Sequence, residues 1–142
     1  MTKKELSQLY WLKKEMAIEK QRLKELRARM YPSAVSMDGN VKSSHDGSQT
    51  ENLTVEIVEL ERIIQKRIEE CEKERLKLES YISGIDDSLV RMVLTLRYVE
   101  CLPWLRVWSK IGGPTTVDSL RKMCYRYLER EEKNLSEKSD LP

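Results

Sequence analysis

Thr115, Thr116, Ser119, Arg121, Lys122, Tyr125 and Arg126 fall within twelve residues near the end of a 142-residue chain. The small hydroxyls come first and the cations follow. Ser and Thr reach base edges, and Arg bridges a guanine with two hydrogen bonds. Lys and Arg also neutralise phosphates, which gives an affinity that falls with salt. On one helix, Ser119, Arg121, Lys122, Tyr125, Arg126 and Arg130 form an outer face. Val117, Leu120, Cys124 (or Met123) and Leu128 form the inner one. No comparable set for catalysis exists elsewhere. There is no Gly-rich phosphate loop, no paired Cys ligands and no nucleophile–base set, and the carboxylates fall on solvated helical faces. The single histidine, His45, has no neighbouring ligands. These residue types predict no enzyme, no metal and no cofactor.

A helix must carry that outer face, and the surrounding signals supply one. Gly112-Gly113-Pro114 forces a tight turn, and Thr115 or Thr116 can cap the helix that follows, with Asp118 in its positive first turn. Before the turn, Pro103 opens a short helix with Trp104, Leu105, Val107, Trp108 and Ile111 as apolar surface. Earlier still, Asp86 or Asp87 caps a strongly apolar helix of about three turns, from Leu89 to near Glu100. Three short helices with a basic, capped last member describe a helix-turn-helix. The major groove, ~12 Å wide, admits one helix of this kind.

The first half of the chain has a different rhythm. Thr2 and Glu5 have the spacing of a capping box. Leu9, Met16, Leu23 and Met30 then recur every seven residues; Leu12 and Leu26 fill the companion position, which Glu19 interrupts. Pro32 stops the helix. Ile57, Ile64, Cys71, Leu78 and Ile85 repeat the sevenfold spacing, with Leu60, Ile68 and Ile82 alongside. The expected fold class is all-α: a long antiparallel coiled-coil hairpin followed by a small helix-turn-helix domain. Residues 1–31 form the first coiled-coil helix, 32–50 a flexible linker and 51–84 the second helix. Residues 85–133 form the helix-turn-helix, and 134–142 a disordered tail. Trp11 and Ile18, one heptad apart, lie off the seam. They call for a partner surface, either a second copy joined through the coiled coil or the C-terminal domain.

Charge is segregated in the same pattern. Residues 2–29 hold nine basic and four acidic side chains, and residues 51–84 hold six and nine. Residues 102–130 hold six basic against two acidic, and the last twelve residues two against four. Opposite charges favour pairing of the two long helices, although each exposed pair contributes only ~0.2–1 kcal/mol. No run approaches the ~20 apolar residues of a membrane span, and no apolar stretch after Met1 reads as a leader. Three widely spaced cysteines, Cys71, Cys101 and Cys124, suggest reduced thiols and a cytoplasmic setting.

Residues 94–130 carry Leu96-Arg97-Tyr98, Glu100, Leu102, Val107, Ile111-Gly112, Thr116 and Arg121 in an order that resembles the fourth conserved region of bacterial sigma factors. The whole chain resembles small phage and prophage proteins that join a coiled coil to a sigma-like helix-turn-helix. Trp104 and the run Asp118-Ser119-Leu120-Arg121-Lys122 belong to that likeness. The resemblance implies a phage or prophage transcriptional regulator of the late-gene activator type, acting on double-stranded DNA in the cytoplasm of a bacterial host. It also implies that Trp104 and Leu105 contact RNA polymerase. Trp108 stands where the family has a small residue, so its indole must swing out or push two helices apart. Two other readings share the pattern. One is a protein-interaction module that docks on polymerase without reading DNA. The other is a subunit like the small terminases of DNA packaging.

Overall fold

The computed structural model describes residues 1–31 and 47–141. These are all-helical, with α1 at Lys3–Leu6, α2 at Gln8–Met30, α3 at Gly47–Ser83 and α4 at Ser88–Leu94. A π-helical turn at Thr95–Val99 follows, then α5 at Trp104–Ile111 and α6 at Val117–Ser139. The chain divides into two compact units. One joins residues 1–12 to the chain from 71 onward; the other is residues 13–70. Among the described residues no helix is long and apolar enough to cross a membrane.

The 13–70 unit pairs the main part of α2 with the first part of α3. Leu23, Leu26, Ile57, Leu60 and Ile64 are its buried cluster, with Met30 and Leu53 packed against it. Ion pairs run in opposite directions along the two helices: Arg27 reaches Glu61 at 2.6 Å, while Arg67 reaches Glu15 at 3.0 Å and Glu19 at 3.3 Å. Glu19, the polar break in the first seam, therefore meets Arg67, seven residues beyond Leu60. Ile68, expected in the seam, is 43 % exposed, because Arg67 takes the inward position beside it. Polar partners inside an apolar seam fix register at a cost in stability. Arg67→Ala is accordingly expected to lower the melting temperature followed by circular dichroism. Glu19→Leu combined with Arg67→Leu should hold or raise it. The linker expected at 32–50 lies outside the described residues up to 46, as does His45. From Gly47 the chain is already α3, four residues ahead of the expected start, and the Thr54 hydroxyl donates to the Thr50 carbonyl at 2.9 Å.

In the other unit the capping box forms as the spacing predicts. The Thr2 N–H donates to Glu5 Oε2 at 2.8 Å and the Glu5 N–H to Thr2 Oγ1 at 3.2 Å. The hydrogen bond from the Thr2 backbone pulls the Glu5 carboxyl below its usual range. This short helix presents Leu6 to the core, and α2 adds Leu9 and Leu12. Leu78 and Ile82 of α3, Val90, Val93 and Leu94 of α4, and Tyr98 of the π turn are buried with them. Val107 of α5 and Leu120, Cys124 and Leu128 of α6 are also buried. Each fully buried Leu of this kind contributes ~1.5–3 kcal/mol. Asp87 caps α4, accepting from the Leu89 and Val90 N–H groups at 2.9 and 3.2 Å.

Two segments depart from the sequence expectation. The apolar helix from Leu89 does not run as plain α-helix to Glu100: it widens at Thr95, and the Glu100 N–H donates to the Thr95 carbonyl at 2.9 Å. The tail expected to be disordered from 134 is instead the end of α6, which runs to Ser139 with Asp140 as its C-cap. Glu131, Glu132, Lys133, Leu135, Glu137 and Lys138 are good helix formers, no Gly or Pro intervenes, and extending an existing helix needs no new nucleus.

Candidate nucleic-acid interface

The turn between α5 and α6 is built from backbone that only glycine adopts freely. Gly112 and Gly113 have φ values of 69° and 87°. Trp108 swings out rather than wedging the helices apart, and its indole N–H donates to the Thr115 carbonyl, pinning the turn. Val107, fully buried, occupies the inner face of α5 instead. Thr116 then caps α6, its hydroxyl accepting from the Ser119 N–H at 3.1 Å and donating to Ser119 Oγ at 2.8 Å.

From that cap, α6 shows two distinct faces. Leu120, Cys124 and Leu128 are buried. Ser119, Lys122, Met123, Arg126 and Arg130 line a shallow groove of about 350 Å3 on the other side. Ser119, Lys122 and Arg126 are exposed, and neither Lys122 nor Arg126 has an ion-pair partner among the described residues. Arg121 is different: Asp118, one turn earlier, holds its guanidinium at 2.5 Å, so its charge is offset locally.

Two of the residues expected to contact DNA, Thr115 and Tyr125, are turned inward. The Thr115 hydroxyl is buried within the turn and has no hydrogen-bond partner among the described residues. Tyr125 is half-buried, with Trp104 edge-on at 5.9 Å and the Lys3 ammonium 3.7 Å above its ring. Arg97, within the π turn, donates to the Leu102 carbonyl at 2.9 Å and lies 5.0 Å over Trp104. Two cations thus flank an edge-on aromatic pair, in the order Arg97, Trp104, Tyr125 and Lys3, a favourable arrangement for the ring quadrupoles. No period in the sequence links residue 3 to residue 125. The inward turn of Tyr125 has a local signal, because it sits one step from the Cys124 seam. Of the expected partner residues, Leu105 is 64 % exposed and Trp104 half-buried; Trp11 and Ile18 are both exposed.

Cys124 lies against Tyr98, and burial pushes its thiol up to about 11. Burial likewise raises Tyr98 and carries Tyr81 up to about 12. In each case the folded state resists losing the proton. Unfolded thiols ionise near pH 9, so stability holds below that pH and falls as pH rises from about 9 towards 11. The urea midpoint is expected to be flat from pH 6 to 8 and to drop above 9. Iodoacetamide at neutral pH should label Cys101, which is half-buried, well before Cys124.

No family model, no curated protein and no solved structure matches this chain. Among the described residues, no cluster of His, Cys, Asp or Glu is arranged to hold a metal ion.

Proposed function

We propose that this chain is a DNA-binding transcriptional regulator of the phage or prophage type, working in the bacterial cytoplasm. In this reading α4 to α6 act as a sigma region 4-like helix-turn-helix, and the paired long helices act as a coiled-coil hairpin. The observation that carries it is the division of α6 into a buried apolar side and an exposed side with Ser119, Lys122 and Arg126, the two cations unpaired among the described residues. In the groove, Ser119 and Arg126 face base edges and Lys122 a phosphate. Thr116 fixes the helix start, and Arg121, held by Asp118, gives that face a defined shape. Leu105, exposed on α5, supplies an apolar contact for RNA polymerase.

The test is fluorescence anisotropy of the full chain with labelled duplex DNA across a salt series. A regulator of this kind binds at low salt, with log affinity falling linearly against log salt by ~0.9 per phosphate contacted. Absence of binding at low salt rejects the reading and leaves docking on a protein, through Leu105, as the alternative.

A further inference from the structure

The 13–70 unit has no core side chain buried as completely as the best-covered ones of the other unit. Its five core side chains keep 5 to 9 % of their surface exposed, whereas the nine largest fully buried side chains all belong to the other unit. Two paired helices hide one stripe each and leave their flanks open. On one flank that openness leaves apolar side chains exposed among charged ones. Ile18 is 72 % and Val55 67 % exposed. A groove of about 680 Å3 includes Ile18, Arg22, Leu26, Arg29 and Glu56 in its lining. A second, of about 280 Å3, includes Arg22, Leu26, Val55, Glu56 and Ile63. They share Arg22, Leu26 and Glu56, so they form one trough along the pair.

We propose that this trough is the contact between two copies of the chain. A twofold contact sets one patch against itself, so the patch must be self-complementary. This one is. The trough mixes both signs: Lys14, Arg22 and Arg29 lie on α2 beside Glu25, and Glu56 and Glu59 lie on α3; Arg22, Arg29 and Glu56 have no ion-pair partner among the described residues. A partner of uniform charge meets repulsion from one helix or the other. A second copy lays its arginines on the first copy's glutamate, and its apolar rows on Ile18, Val55 and Ile63. Such pairing excludes water from the Leu26 side of the core, which two helices alone leave incompletely covered. It does not depend on whether α6 binds DNA.

Sedimentation velocity of the full chain at micromolar concentration tests this. The expected mass is twice 16.8 kDa. Ile18→Glu, at a site exposed in the single chain, should raise the dissociation constant at least ~tenfold, about 1.4 kcal/mol, with helicity unchanged. Arg22→Glu with Arg29→Glu in one chain, and Glu56→Arg in another, should each weaken self-association, and the two chains mixed should form a heterodimer. A monomeric wild-type chain leaves the trough to another protein or to water and overturns the proposal. A ring-sized assembly, or a dimer untouched by Ile18→Glu, also overturns it.

Discussion

Replacing Lys122 and Arg126 together by alanine is expected to weaken binding to duplex DNA by about 2–4 kcal/mol at low salt, roughly 30- to 700-fold. Both side chains stand exposed on the outer side of α6, and neither is engaged by a carboxylate among the described residues. Their charge is therefore available to phosphate or guanine without breaking anything inside the protein. The slope of log affinity against log salt should fall by about 2, one for each lost ionic contact. Helicity and urea midpoint should not move. Arg121→Ala is a graded control. Its guanidinium is already neutralised by Asp118, so its loss should cost less than loss of either free cation. Equal affinity of wild type and the Lys122/Arg126 variant would remove this face from consideration as the interface.

Leu120→Ala should give the opposite profile. Leu120 is 1 % exposed, in the first turn of α6, where the helix packs on α4 and α5. Truncating a buried Leu costs about 2–5 kcal/mol, from lost transfer energy plus the cavity left behind. Against a typical total of ~5–15 kcal/mol this is a large share. Urea titration should show a lower midpoint with an unchanged slope. DNA affinity, measured where the variant is still folded, should stay near wild type because the outer face is intact. Together the two substitutions separate the proposed binding face from the face that holds the helix in place.

The all-helical class was legible because apolar residues recur at helical and heptad spacing, and because turn and cap residues mark the breaks. Asp87, Thr116 and the Thr2–Glu5 box all cap as their chemistry predicts. The inner face of α6 was legible for the same reason. What escaped were features set by partners distant in sequence. Arg67 reads as a solvated charge until Glu19 is seen against it. Tyr125 reads as outward until Trp104 and Lys3 are seen to sandwich it. Thr115 is nearer in sequence: its carbonyl accepts from the Trp108 indole, while its hydroxyl is buried in the turn. The continuation of α6 to Ser139 is hidden because composition signals only solvation, and a solvated segment joined to a formed helix stays helical.

The most direct measurement is chemical protection on a duplex selected by the protein from a random-sequence pool. Dimethyl sulfate methylates guanine N7, which faces the major groove. If α6 lies in that groove, the pool converges on a sequence, and guanines within it are protected in the wild-type complex but exposed with the Lys122/Arg126 variant. A bound complex in which every guanine N7 stays as reactive as in free DNA would contradict the account.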